Sequence, residues 1–540
     1  MRKSNYLMSK VTGLLLTLFT AISMISCEDI LGEWDNPAQR IVNTIVENTG
    51  ATASEVSALV EAAMSDAAIQ QALATGESIK VNVAGGTSTS ASNQTITIPM
   101  TTPSGNKKVE IEINFTDVIT ASEDNPLEFK AATGAGNASA EESDNELTIS
   151  MPTATGLVIS IELPNTTVTL TTNGTSTVYK SVISKTAKQT LIIKNGVTVE
   201  EIRVDGGTVR VEEGGTVNTY VYPAGRFDEY FGDAIVYAWD QGVTPAYAWV
   251  EEDNAEKYEL CTDEAGQMPY FAHSLKITPG TAEYAKVAFW NETYSNDDGA
   301  LISHFPLEKF IITDGAKALV EWHTIAKELI GEGTSEIRLK GDADWHDEEN
   351  DRYNLAVGFE CPERIYNLSF TPPLNTWDEL PEGATTYSVL NNLPANLEKC
   401  IFHYDRVEFG KHTGDLVPAG IIPTNPSKAL NCTFNSKEIF MFMPTDQETL
   451  DFTFDNCTFG EDCRIIIEPV EGGPAQYTGL TFNLMFTDCG NLEEIKSLLD
   501  LHAIRDFEND SNNHVKIIIN IGGTSYRVNS DGDDLVSAEA

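Results

Sequence analysis

The sequence predicts a mainly β chain whose short strands stack rung upon rung, with a helical spacer before them and a small α/β cap after them. Three observations predict it. Residues 79–225 are rich in Thr, Val, Ile, Gly and Asn and alternate with period two. Strand-sized phrases closed by turn residues recur there and again after residue 360. Residues 491–540 then change to a helical period followed by two apolar runs around Gly-Gly.

Taken in order, residues 38–78 read as a helical spacer. Thr52, Ala53, Ser54 and Glu55 form a capping-box pattern ahead of Val56, Leu59, Val60, Ala63, Met64 and Leu73, with Gly76 at the end. In 79–225 the phrases "LTISMPTATG", "LVISIELPN", "TVTLTTNG", "TLIIKNG" and "TVRVEEGG" each hold four or five alternating residues and a turn signal. From Thr167 to Thr190 is 23 residues, and from Thr190 to Thr208 is 18. Such strands bury a face only by stacking on one another, which is the logic of a β-solenoid; a meander or sandwich accommodates the same spacing.

Residues 226–360 are aromatic-rich, with Trp239, Trp249, Trp290, Trp322 and Trp345. A helix is expected from Ala316 to Ile330, capped by Asp314 and Gly331, with Leu319, Trp322, Ala326 and Leu329 on one face. In 361–490 the phrases "NLSF", "KCIF", "NCTF", "NCTF" and "GLTF" end at Phe370, Phe402, Phe434, Phe459 and Phe482, in steps of 32, 32, 25 and 23 residues. After Cys400, Cys432 and Cys457 a second apolar strand begins at Val407, Ile439 and Ile465. Two strands per repeat and a repeat near one coil in length suit a parallel β-helix. The phrases resemble the coils of right-handed parallel β-helix proteins, in which Asn at the turn ladders with its equivalents above and below. From Asn491 an amphipathic helix and a hairpin at "VKIIINIGGTSYRV" read as a cap, with residues 531–540 as a frayed acidic tail.

The N-terminus carries a different message. Arg2, Lys3 and Lys10 precede an apolar run from Val11 to Ile25, too short to span a bilayer and right for a secretory signal over 1–26. "Met24-Ile25-Ser26-Cys27" resembles the lipobox of bacterial lipoproteins, which implies that Cys27 becomes the first mature residue and carries acyl chains. Glu28, Asp29 and "GEWDNP" within the tether 27–37 resemble the export signals of Bacteroidota-type surface lipoproteins. The resemblance implies an outer-membrane location, lipid-anchored and outward-facing, with the membrane as one partner.

Charge narrows the other partners. With 35 Lys and Arg against 81 Asp and Glu the net charge is −46. That field repels nucleic acid and anionic polysaccharide, and penalises neutral glycans, basic proteins or calcium-bridged partners less. Seven cysteines follow Cys27 without a CxxC pair, so nothing suggests a zinc ribbon. In Cys-x-Phe the two side chains share a strand face, so Cys432 and Cys457 are expected as core thiols, with a Cys457 to Cys463 disulfide as the alternative.

Three constellations bear on chemistry. Asp342, Asp344 and Asp347, in the acidic loop 341–351, are the candidate calcium ligands, with "NDDG" at 296–299 a weaker case; a solvated acidic loop is the competing reading. Trp239, Trp249 and Trp290 are the candidate glycan-stacking residues, against a plain core role. Parallel β-helices include polysaccharide lyases, which implies carboxylates with a cationic base, for which Arg338 and Arg352 stand nearby. Fold likeness alone does not license that activity. The function expected is non-enzymatic surface binding to glycans or surface proteins; the alternatives are a polysaccharide lyase or glycoside hydrolase, and a structural envelope component.

Overall fold

The structure is a computed structural model and describes residues 40–45, 78–84, 94–98, 110–116, 121–131 except 125, 145–185, 189–204, 208–224 except 213, 234–239, 247–248, 261–262, 274–291, 307–321, 326–339, 342–347, 352–358, 364–372, 384–393, 396–409, 427–443, 448–469, 479–509 and 514–538. The chain is mainly β, its strands are paired mostly in parallel, and it divides into two compact units. Unit 1 comprises Met1–Val217 with Thr262–Gln267; unit 2 comprises Asn218–Cys261 with Met268–Ala540.

In unit 1, successive strands alternate between two parallel sheets. One holds Ser78–Ala84, Glu110–Phe115, Asn145–Met151, Thr166–Thr172, Thr190–Ile193 and Thr208–Val211. The other holds Gln94–Ile98, Leu127–Ala131, Ala154–Glu162, Thr177–Ser184 and Val197–Val204. Register keeps like residues in columns: Ile111, Leu147, Val168, Leu191 and Val209 form one, and Ile113, Ile149, Leu170, Ile193 and Val211 the next. All ten are buried. β-branched residues suit this pleated, half-buried surface, which explains why Thr and Val phrases fold as strands. Asn165, Gly196 and Gly214 take positive φ where the chain turns between strands, the conformation that Asn and Gly tolerate.

Unit 2 adds a third sheet. Its first sheet includes Ser274–Thr278, Leu307–Ile312, Ala326–Gly331, Arg364–Tyr366, Asn396–Glu398, Ser427–Leu430, Thr449–Asp455, Thr481–Thr487 and Lys516–Ile521. The second runs through Ala234–Trp239, Ala285–Asn291, Lys317–Glu321, Glu336–Leu339, Ser369–Thr371, Ile401–Phe402, Thr433–Phe434 and Thr458–Phe459. The third holds Arg352–Gly358, Thr386–Leu393, Arg406–Phe409, Glu438–Met443 and Arg464–Pro469. The strands expected at Val407, Ile439 and Ile465 are therefore register partners. Phe370, Phe402, Phe434 and Phe459 stack face to face, with ring centroids 5.2, 5.1 and 5.7 Å apart.

Corners between the first two sheets fall at Asn367, Lys399, Asn431 and Asn456, and Asp488 takes the same conformation ahead of the helix at Leu492–Leu498, all at positive φ. The backbone N–H of each of the first four donates to a carbonyl one rung on, Asn456 to Thr487 at 2.8 Å for example. The Asn456 amide also donates to Asn431 Oδ1 at 2.6 Å, the asparagine ladder expected of these turns.

The C-terminal cap is present. Helix α1 (Leu492–Leu498) starts in a capping box in which Asn491 accepts from the backbone of Glu494 and Glu494 accepts from that of Asn491. Helix α2 (Leu501–Asn509) buries Leu501, Ile504 and Phe507. The strand Lys516–Ile521 then turns back antiparallel into Thr524–Val528.

Several sequence expectations are corrected. No helix spans Ala316–Ile330: Lys317–Glu321 and Ala326–Gly331 are parallel strands. Leu319, Trp322, Ala326 and Leu329 fit a helical period, but Ala318 and Val320 fit a two-residue one and are both buried, and pairing with the neighbouring strands decides between the two. Asp314 caps a turn instead, its Oδ1 accepting from the N–H and hydroxyl of Thr334. Arg40–Ile45, assigned to the helical spacer, is a strand paired with Ser78–Ala84; the rest of that spacer lies outside the described residues. Phe482 belongs to the first sheet, opposite Leu450, and not to the phenylalanine stack. The tail is not frayed throughout, because Leu535–Ser537 pairs with Thr524–Val528. The acidic loop 341–351 contains a strand, Asp342–Asp347, paired antiparallel with Arg352–Gly358.

Candidate functional site

The densest polar chemistry among the described residues lies in two tyrosine-centred clusters on the sheets of unit 2. In the first, register sets Lys317, Glu336 and Ser369 in one row and Arg338 beside Thr371. Glu336 Oε1 accepts from Thr371 Oγ1 at 2.7 Å, Arg338 Nε at 2.8 Å and the Tyr284 hydroxyl at 3.1 Å. Lys317 Nζ stands 3.6 Å from its other oxygen and 2.7 Å from Glu283. The Lys317 ammonium and the Arg338 guanidinium lie 5.2 and 5.3 Å from the Tyr284 ring centre.

The second cluster is built on the third sheet. The Tyr387 hydroxyl donates to Glu438 Oε2 at 2.7 Å, and the Arg352 guanidinium lies 3.7 Å from the Tyr387 ring centre. Asp405 Oδ2 accepts from the backbone and hydroxyl of Ser388 at 2.8 and 2.9 Å, and Lys437 Nζ is 2.9 Å from Asp405 Oδ1. Arg406 pairs with the buried Glu408 at 2.5 Å and stacks 3.4 Å from the Phe440 ring centre.

Protonation follows from these contacts. Burial by itself pushes the carboxyls of Glu336 and Asp405 up. For Glu336 the Thr371 and Arg338 hydrogen bonds outweigh it, and for Asp405 those of Ser388 and Lys437, so both stay below the usual carboxylate range. Burial first and Glu438 second push the Tyr387 phenol up; burial and Glu336 do the same to Tyr284. Both tyrosines are therefore neutral donors near pH 7. Arg338, held by Glu336 against the opposing effect of burial, is shifted further toward its charged form, which removes it as a base. In each cluster cations are paired with carboxylates, Lys317 and Arg338 with Glu336 in the first and Lys437 with Asp405 in the second.

The sequence candidates are dispersed. Trp239 ends its strand opposite Asn291, whereas Trp290 is opposite Ala238, so the register sets the two tryptophans one position apart. Trp249, the loop 296–299 and Cys27 lie outside the described residues. Asp342 and Asp347 sit at the two ends of one strand, opposite Ala356 and Arg352, and a register irregularity falls across the stretch that holds Asp344. Among the described residues no group of three or more His, Cys, Asp or Glu side chains converges as a metal site, and no helix is long and apolar enough to cross a membrane.

The cysteines form the remaining constellation. Cys400, Cys432, Cys457, Cys463 and Cys489 are free thiols, so the Cys457 to Cys463 disulfide does not form. Cys400, Cys432, Cys457 and Cys489 each follow a positive-φ residue and so fall in one row, one per coil. The first three are buried, which the Cys-x-Phe spacing predicts for Cys432 and Cys457.

Sequence reasoning missed both tyrosine clusters. Tyr284 and Glu336 are 52 residues apart, Tyr387 and Glu438 are 51, and only rung stacking brings them together. Comparison of the chain with protein-family models, curated proteins and solved structures finds no match, so the site stands on its own geometry.

Proposed function

We propose that the chain is a lipid-anchored surface protein of an outer membrane that binds a glycan or a neighbouring surface protein and catalyses nothing, with its two units built as parallel β-solenoids. One observation carries the non-enzymatic part. Cations on the sheets are taken up by carboxylates on the next rung: Lys80 by Glu112, Lys194 by Glu212, Lys327 by Glu308, Arg364 by Glu398, Lys428 by Asp455. A lyase of an acidic polysaccharide needs cations free to hold substrate carboxylate, and the two tyrosine clusters tie up theirs as well.

Charge then favours the partner. At a net −46, with these cations neutralised in place, the outward field is that of the surplus carboxylates, and neutral glycans or basic proteins are the partners it admits. Acylation at Cys27 supplies the anchor: each buried methylene contributes about 0.8 kcal/mol, and more than one chain gives stable attachment.

The test is incubation of the purified protein, with and without calcium, with neutral and acidic polysaccharides and with basic and acidic proteins. Retention of neutral glycans or basic proteins without new reducing ends or unsaturated products is the expected result. Product release abolished by Asp342→Ala or Asp344→Ala would replace this reading with the enzyme one. Cys27→Ser is expected to move the protein from the membrane to the soluble fraction.

A further inference from the structure

We propose that Cys457 and Cys489 form a two-coordinate site for a soft monovalent cation of the copper(I) class. The fold places their sulfurs on successive rungs of one row, each fixed by a left-handed residue, Asn456 and Asp488. Neighbouring strands lie about 4.8 Å apart. A metal to thiolate bond is about 2.3 Å, so two in line span about 4.6 Å, and linear coordination fits between rungs with little movement of the backbone. A disulfide fits less well, because its Cβ atoms approach to about 3.8 Å.

Local contacts fit this assignment. The Cys457 N–H donates to Cys489 Sγ at 3.3 Å, which directs that sulfur toward its neighbour's backbone. The Cys457 thiol donates to the Ala429 carbonyl at 3.2 Å, and the Cys489 thiol to those of Thr487 at 3.2 Å and Phe454 at 3.3 Å. Thiols are weak donors, so little is lost when a metal replaces a proton. With no third ligand converging among the described residues, a tetrahedral ion such as zinc is not served, whereas a soft ion content with two sulfurs is. Cys489 alone of the row is partly exposed, so the ion reaches the pair from that side, while Cys400 and Cys432 are closed off. On binding, both thiols release their protons to water and the two thiolates hold the ion. The complex carries one negative charge, which the partly exposed Cys489 side leaves open to water, and no electron is transferred.

Silver(I), a redox-inert probe of the same class, is titrated into the full chain and the tight equivalent followed by its thiolate charge-transfer absorption. One tight equivalent is expected. Cys489→Ser and Cys457→Ala should weaken it by more than the about 100-fold that loss of an outer-shell partner costs. Cys463→Ser, which alters a buried thiol outside the row, should leave it unchanged. Far-UV circular dichroism checks the fold, and if Cys457→Ala unfolds, Cys489→Ser at the more exposed position decides. A tight equivalent that survives Cys489→Ser, or one that Cys463→Ser removes, overturns the proposal.

Discussion

In residues 145–211 each repeat contributes strands to two parallel sheets, whereas in residues 364–469 each contributes to three, and their cores differ. In unit 1 the columns pass from Leu147 to Val168, Leu191 and Val209, at steps of 21, 23 and 18 residues. In unit 2 they pass from Ile365 to Leu397, Ala429, Phe454 and Phe486, at steps of 32, 32, 25 and 32. A third strand per repeat adds another inner face to pack, and interiors fill to a density near 0.74.

One column records the change. Ala285, Ala318, Ile337, Phe370, Phe402, Phe434 and Phe459 are successive register partners in the second sheet of unit 2. The third sheet begins with the hairpin Asp342–Asp347 and Arg352–Gly358, between Ile337 and Phe370 in the chain. In this column alanine falls where a repeat has two strands, and phenylalanine where it has three. The acidic segment that the sequence offered as a solvated loop or a candidate calcium site is thus where the third sheet starts.

This comparison can be broken in both directions. Phe434→Ala removes a ring stacked on Phe402 and Phe459 and edge-on to Phe409 and Phe454, and is expected to cost about 3–5 kcal/mol by chemical denaturation. A loss under about 1 kcal/mol would mean that the three-strand region does not depend on its aromatic stack. The reverse change, Ala318→Phe, puts a ring into a two-strand coil and should cost about 1–3 kcal/mol through overpacking. Next come the corners. Asn456 sits at φ 51°, so Asn456→Ala should cost about 1–2 kcal/mol while Asn456→Gly stays close to neutral in backbone strain. Equal effects of the two would point to the Asn431 hydrogen bond instead of the backbone.

The smallest effect is electrostatic. Glu336 and Asp405 are held below their ordinary pKa values, so the unfolded chain binds protons more readily than the folded one. Their contribution is present above the unfolded values near pH 4 and is lost as pH falls through the folded ones. Denaturation midpoints of Asp405→Asn should therefore fall less steeply than those of the parent between about pH 5 and pH 2. An unchanged slope would show that Ser388 and Lys437 do not hold this carboxylate in solution.

Much of the fold was legible along the chain. The phrases ending in Asn-Gly and Gly-Gly, the Phe repeat and the capping box at Asn491 are local patterns, because strand alternation, positive φ and helix capping are set within a few residues. The Ala316 to Ile330 segment was not legible, since its apolar spacing satisfies two periods and only the rungs above and below choose. Phe482 misled for the same reason: "GLTF" matches the repeat, yet pairing with Leu450 assigns it to another sheet. The candidate sites were least legible, because Tyr284 meets Glu336, and Tyr387 meets Glu438, two rungs away.

The sequence by itself determined that this is a β-rich chain of strongly acidic charge, with turns at Asn and Gly, thiols directed inward at Cys432 and Cys457, and a helix and hairpin near the C-terminus. Only the tertiary structure decided how many sheets each repeat joins, where the third sheet begins, which phenylalanines stack, and which carboxylates neutralise which cations. The physical reason is that parallel pairing joins residues a whole repeat apart. Local propensity sets what each segment can become, and pairing with the neighbouring strands selects among those states.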